Sequence, residues 1–363
     1  MPVYTEGDFS LLQHDRVKVM EDQFFNGSVA MKELNKPINS AQCILNHQTP
    51  TLLPKFQNNL VAGVSVLTWR SCNMAISGDT VESCTLTGGE GLGVTKDDFD
   101  LNGRIKIEFE VSEEIYDSMA TFEMILAKQA AKAKVLCEVE LAQRLVTFAS
   151  TNADTVSLAG ISVDATTTIN GNTIEIPSAE WSSTLLGEMD YIHEQFDMME
   201  VLYVTGKNFY TEDFLNRYKN QSCCNNADLL RSDDFNICFD SRNVDSVLSG
   251  RYTLAIDQDA IFFWNAYKHS SESPIQRSSS NDLWEWREVL PRLTYKAMGL
   301  PKPAGYAGDD NPIWIDVTMQ RDCSVVNDRR VYSRKFEYII NYGLFAGPVD
   351  CSDRVGILKY AAV

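Results

Sequence analysis

From Ser112 to Asp154 the apolar residues Ile115, Met119, Phe122, Leu126, Ala130, Ala133, Cys137, Leu141, Leu145 and Phe148 recur at steps of three or four. That spacing lines one face of a helix. A continuous helix over 112–154 would be roughly 60 Å long at 1.5 Å per residue, several times the ordinary length. Such a helix acts as a strut, so the rest of the chain must wrap around it. Val111-Ser112-Glu113-Glu114 offers an N-cap serine and first-turn acids, so the helix is expected to start at Ser112.

The flanking segments sort by pattern. Arg104–Val111 alternates, with Ile105, Ile107, Phe109 and Val111 facing one way and Lys106, Glu108 and Glu110 the other, as a half-buried strand does. Upstream, Val64, Val66, Leu67 and Trp69 begin a strand, and Gly88-Gly89-Glu90-Gly91-Leu92-Gly93 marks a turn. A long two-stranded excursion over 61–111 is expected. Residues 1–60 read as an irregular arm broken by Pro37, Pro50 and Pro54, with one short helix at Arg16–Phe25. After the long helix, strands are expected at Val156–Val163 and Thr166–Ile176, turning at Asn170-Gly171-Asn172. A helix is expected over Ser178–Met199, a strand over Val201–Thr205 and a short helix over Thr211–Tyr218. Tyr252–Ile256 reads as a strand, Asp259–Tyr267 as a helix and Gly299–Pro312 as a linker. Ile313–Met319, Val331–Tyr342 and Val355–Tyr360 read as closing strands.

The chain of 363 residues has a net charge of −18, which disfavours phosphate-backbone recognition. No run of about 18 apolar residues marks a membrane span, and the N-terminus lacks the pattern of a signal peptide. The nine cysteines (43, 72, 84, 137, 223, 224, 238, 323 and 351) form no C-x-x-C pair, and reduced thiols are expected.

Each feature suggestive of chemistry has a plainer account. Asp98-Phe99-Asp100-Leu101-Asn102-Gly103-Arg104-Ile105 begins like a calcium loop, but position twelve is Phe109, with Glu108 and Glu110 on either side, so an acidic turn fits better. The glycines at 88–93 precede no Lys-Ser/Thr pair and no helix, so they suit a flexible tip rather than a phosphate loop. His14, His47, His193 and His269 are scattered. His193-Glu194 lacks a second histidine at helical spacing, and His193 is placed at the edge of a helix face. Cys223-Cys224 reads as two loop thiols, because adjacent cysteines bridge poorly. Trp284 and Trp286 fit a core or an interface better than a carbohydrate platform. Arg329, Arg330, Arg334 and Lys335 form the densest basic cluster. Two readings stay open for it: a contact for an acidic neighbour, or a solvated hairpin tip.

The element order resembles the Hong Kong 97-type major capsid protein of tailed double-stranded DNA bacteriophages, a fold shared with encapsulin shells. The resemblance is carried by Glu108–Asp154, Ser249–Asp257, Phe336–Gly347 and Val355–Tyr360. It implies an α+β fold made of an N-terminal arm (1–60), an extended β loop (61–103) and a peripheral domain (104–177) with a spine helix (112–154). An axial domain (178–312), return strands of the peripheral domain (313–345) and a C-terminal axial strand (346–363) complete it. It further implies self-assembly as hexamers and pentamers into an icosahedral shell that encloses DNA without reading its sequence. A portal, and scaffold or decoration proteins, would be partners. The product would be a virion capsid assembled in the host cytoplasm, with no membrane association. No catalytic, cofactor or metal residue is assigned, and Lys96 is not assigned the cross-linking role of the type member. The alternatives are an encapsulin compartment and, in another class, a calcium-dependent or carbohydrate-binding enzyme using Asp98, Asp100 and Asn102. In the capsid reading the stripe packs on the subunit's own late strands. A charge at Phe122 or Leu126 is then expected to prevent folding before it prevents assembly.

Overall fold

The periodic stripe forms helix α3, Met119–Ala153, 35 residues and about 50 Å long. Phe122, Leu126, Ala130, Ala133, Cys137, Leu141, Leu145 and Ala149 are all buried. So are Ala127, Ala131 and Ala142 on adjoining faces, where small side chains let neighbouring elements approach closely. The computed structural model describes residues 11–28, 36, 38–48, 52–57, 60–70, 93–113, 119–177, 185–196, 198, 200–207, 236–278, 282–298, 310–326, 329–347 and 356–363. The glycine-rich tip, Thr211–Tyr218, Cys223-Cys224 and most of the 299–312 linker lie outside these residues.

Two helices precede the sheets: α1 (Leu11–Phe25) and α2 (Asn39–Asn46). Strands β1 (Leu52–Gln57), β2 (Leu60–Arg70) and β3 (Gly93–Asp100) form an antiparallel three-stranded sheet. The excursion therefore has one strand more than its pattern suggested, since β1 joins from the arm. Strand β4 (Gly103–Ser112) follows β3, with Ile105 and Val111 buried and Lys106, Glu108 and Glu110 exposed, as its alternation requires.

Strand β4 pairs with β14 (Arg329–Ala346) in the second sheet. That sheet also holds β10 (Ile261–Ala266), β11 (Ile275–Ser278), β12 (Leu283–Tyr295) and β13 (Asn311–Val326). Strand β13 pairs with β14 up to Ile339, and β10 takes over from Asn341. Asn265 closes the join between the three strands. Its Nδ2 donates to the carbonyls of Trp314 and Asn341, both at 3.0 Å, and its Oδ1 accepts from Trp314 N at 2.6 Å. At Gly343 the backbone lies directly under the Trp264 ring, and any Cβ there would collide with it.

A third sheet has the order β5-β6-β15-β9-β7-β8: β5 (Thr168–Asn170), β6 (Thr173–Ile176), β7 (Leu202–Thr205), β8 (Asn236–Phe239), β9 (Tyr252–Ile256) and β15 (Ile357–Ala362). Helix α4 (Leu185–Gln195) covers one face over a core of Met189, Ile192, Tyr203, Leu358 and Tyr360. Leu202, Val204, Leu254, Ile256 and Ile357 point the other way, into the main core shared with α2, α3 and α5 (Ser241–Leu248). Helix α3 thus packs on β4, β12 and β14 of the second sheet and on β9 and β15 of the third.

Several local expectations gave way to tertiary pairing. The helix does not start at Ser112. Ser112 ends β4 opposite Ser333, and Glu113 binds Arg321 and Arg334, so ladder and ion pairs hold the backbone where a cap was expected. Asp259–Tyr267 holds a strand, not a helix. All six residues of β10 are buried, and a short run apolar on every side looks the same in either state. Val156–Val163 forms no strand; Gln195 occupies the backbone of Ser162 instead, accepting from its N–H at 2.8 Å and donating to its carbonyl at 2.9 Å. Strand β6, expected with the peripheral segment, pairs with β15 of the third sheet, and β5 pairs with β6 at its edge. Trp284 and Trp286 lie on β12, and α4 ends at Gln195, short of the expected Met199, while 178–184 lie outside the described residues. The arm contains α2, which had not been expected, and Cys43 of α2 is disulfide-bonded to Cys238 of β8. The expectation of uniformly reduced thiols is corrected accordingly. Spacing cannot reveal a pair 195 residues apart that only folding brings together.

Candidate functional site

Helix α1 lies along α3 with Gln13, His14, Val17, Glu21 and Phe24 buried. Three of these five are polar, so a charged seam forms beneath the helix. Lys134 of α3 is 6 % exposed, and its Nζ meets Glu21 at 2.6 Å and also contacts Glu288 of β12. Trp286 Nε1 donates to Glu288 at 2.5 Å, and His14 Nε2 lies 3.9 Å from it. The His14 ring meets Trp286 edge-on, with 5.4 Å between centroids. Two buried carboxylates therefore share one ammonium. Burial pushes the Glu21 carboxyl up to about 7, against the partial opposition of Lys134. Burial acts on Glu288 in the same sense, but Lys134, His14 and Trp286 together hold it well below the usual range. Burial would depress the Lys134 ammonium, and the two glutamates more than reverse that. The pair titrates as a unit in which the proton resides on the carboxylate less well held.

The seam continues toward the start of α3. Arg334 of β14 is 3 % exposed; its Nε donates to Glu113 at 2.7 Å and its Nη1 to Gln13 at 2.9 Å. Arg321 donates to the other oxygen of Glu113 at 2.9 Å. Farther along α3, Glu138 accepts from both the backbone N and Nε of Arg292, at 2.9 and 2.6 Å, and Arg292 Nη1 donates to the carbonyl of Lys36 at 3.2 Å.

Helix α2 is held by other means. Beside the disulfide, Asp240 accepts from Ser40 N at 3.0 Å and Ser40 Oγ at 2.7 Å while capping α5 through Asn243 N. The Gln48 side chain bonds both backbone groups of Phe263, and Lys296 N donates to the carbonyl of Leu45. Ala41, Ile44 and Leu45 are fully buried.

Among the described residues, those with chemical potential are placed without convergence. Asn102 Nδ2 donates to the Leu344 carbonyl at 2.6 Å and its Oδ1 accepts from Leu344 N at 2.9 Å, extending the β4–β14 ladder. It is thereby committed to backbone rather than to a cation, while Asp98 and Asp100 are exposed. Lys96 lies in β3, paired in register with Leu67. His193 is 2 % exposed rather than at a helix edge. It sits between the Tyr203 hydroxyl at 3.2 Å and the Tyr360 hydroxyl at 3.0 Å, and burial pushes it down to about 4. It lines a cavity of about 430 Å³ with His47, Asp190, Glu194 and Glu200; His47 is already engaged by the Ile256 carbonyl at 3.1 Å. His269 faces Glu285 at 3.4 Å. Among the described residues, no group of three His, Cys, Asp or Glu is arranged to hold a metal. Cys137 is buried, which pushes its thiol up to about 12 and out of reach of nucleophilic chemistry. The basic cluster divides. Arg334 is internal and Lys335 pairs with Asp322 at 2.6 Å, whereas Arg329 and Arg330 stand at the turn end of the β13–β14 hairpin. That hairpin continues past the last β12 partner, Gln320, and past the last β4 partner, Ser333.

The arm's seam was not foreseen from the sequence. Its only early trace is that Glu123, Lys134 and Glu138 interrupt an otherwise apolar helix surface, and all three are buried.

No protein-family model matches the chain, and no curated protein matches it. Among solved structures, it is similar to a chain from Mycobacterium phage Adephagia at 11% identity, covering 99% of this chain and 94% of that one, with a TM-score of 0.41. A chain in the capsid structure of the cyanophage P-SCSP1u matches at 8% identity over 87% of this chain and 86% of that one, TM-score 0.39. A chain in the asymmetric unit of the bacteriophage PhiM1 mature capsid matches at 9% identity over 99% and 91%, TM-score 0.35.

Proposed function

We propose that this chain is a major capsid protein, a subunit that tiles an icosahedral phage head around double-stranded DNA. The observation that carries this reading is α3, a 35-residue helix packed on two separate sheets, with α1 and α2 against it and a three-stranded sheet against β10 and β14. Such a body supplies rigid geometry, and among the described residues those with chemical potential do not converge on a reacting centre. In this reading the second sheet with α3 forms the peripheral part and the third sheet with α4 and α5 the axial part. Residues 168–176 then go with the axial part, because β6 pairs with β15 and β5 with β6. The net charge of −18 keeps the shell from adhering to the genome it encloses. Subunits associate as hexamers and pentamers through heterologous contacts, with a portal and, where needed, a scaffold or decoration protein as partners, in a virion assembled in the host cytoplasm.

Negative-stain electron microscopy of the purified chain, alone and after co-expression with the scaffold and portal genes adjacent to its own, tests this. Closed or partial shells are expected. A species that stays monomeric under every assembly condition overturns the proposal.

A further inference from the structure

We propose that α1 is a proton-coupled strap, docked on α3 while the seam beneath it holds a proton and released as that proton leaves, with α2 remaining as a fixed anchor. The geometry sets this up. Glu21 travels with α1, whereas Lys134 and Glu288 belong to α3 and β12 and keep each other when α1 departs. Docking therefore places a second carboxylate on an ammonium that already has a partner, at a site where Glu21 is 3 % and Glu288 7 % exposed. The groups facing Glu21 are Lys134 from α3, Glu288 from β12, the buried Tyr338 from β14, and its own neighbour Asp22. Next to this pair His14, also carried by α1, faces Glu288 at 3.9 Å. The one ammonium cannot neutralise two buried carboxylates, so the docked seam favours an added proton.

The sign follows from linkage. In the docked arm the Glu21 carboxyl is raised from 4.5 to about 7. Its contribution to docking is complete below the ordinary value of a free glutamate and is lost as pH rises through the docked value. Between pH 6 and pH 8 the docking constant should fall about tenfold, following that titration. Under α2, among the described residues, no two carboxylates share a cation. Its contacts are a disulfide, the Asp240 carboxylate on Ser40, the Gln48 side chain on Phe263 and apolar burial, and burial holds the His47 imidazole at its C-cap below the ordinary histidine range.

The proposal does not rest on the capsid reading, because it is measured on unassembled full-length chain whose assembly state is matched at both pH values by light scattering. Hydrogen exchange, corrected for intrinsic rates, reads the protection of amides in 11–25 against those in 39–46. The expected result is an about tenfold loss of α1 protection from pH 6 to pH 8 with α2 unchanged, and abolition of that loss by Glu21→Gln, whose neutral amide keeps the shape of the protonated acid. Equal protection of α1 at both pH values, no protection at either, or the same pH-dependent loss in Glu21→Gln overturns the proposal.

Discussion

Helices α1 and α2 both belong to the arm and both pack on α3, yet they are fastened by opposite physics. Helix α2 buries Ala41, Ile44 and Leu45, carries a disulfide, and shares Asp240 with the N-terminus of α5. Helix α1 buries His14 and Glu21 over Lys134 and Glu288, and its neighbour Gln13 over Arg334. Apolar burial and a disulfide respond little to pH. A charge cluster in a dry seam depends steeply on its protonation state and on every member being present. One arm thus combines a permanent attachment with a conditional one.

Removing the shared cation should break the comparison most severely. Lys134→Met leaves two buried carboxylates without their shared ammonium, and a loss of about 3–5 kcal/mol is expected in denaturant unfolding. Protection of α1 should vanish while that of α2 persists. Next comes the anchor: Cys43→Ser opens a link between residues 195 apart, and should cost about 3 kcal/mol. It should leave the pH response of α1 intact, and if that response disappears the two attachments are not independent.

The third sheet supplies a contrast in pH. Burial depresses His193 to about 4, so its contribution is complete above the ordinary histidine value and is lost as pH falls through 6.5 toward 4. About 2 kcal/mol should be lost by pH 5, read as a lower unfolding midpoint, whereas α1 docking should be stronger there than at pH 8. A His193→Gln variant should lose this acid sensitivity. The smallest effect is expected for Arg16→Ala. Its guanidinium is half exposed and 4.0 Å from Glu123, so thermal unfolding should register less than about 1 kcal/mol.

What could be read in advance follows from how local each signal is. The α3 stripe and the β4 alternation were legible because a single periodicity persists over enough residues to exclude the alternative. Strand β9 and the last three strands were also read as strands, though β9 and β15 are buried on both faces as β10 is. The turn at Asn170-Gly171-Asn172 was legible as well, and Gly171 takes a φ of +61° there. Strand β10 was read as a helix because Ile-Phe-Phe-Trp is apolar on all sides and carries no period. The cap at Ser112 was a sound local signal overridden by β14, whose pairing runs through Ser112 to Ser333. At the candidate seam, the buried charges were visible only as interruptions of the stripe. Their partners are Glu21, more than a hundred residues upstream of Lys134, and Glu288 and Arg292, more than a hundred and fifty downstream of Lys134 and Glu138 respectively.

The sequence by itself determined that a long amphipathic helix would organise the chain, that a β excursion would precede it, and that strands would close the fold. These follow from side-chain periodicity, which is a property of consecutive residues. Only the tertiary structure decided which strands share a sheet, that Cys43 meets Cys238, and that Glu21 and Glu288 converge on Lys134. Those are long-range encounters, and desolvation and Coulomb energy act only once the encounter has been made. They govern how firmly α1 and α2 are held on α3.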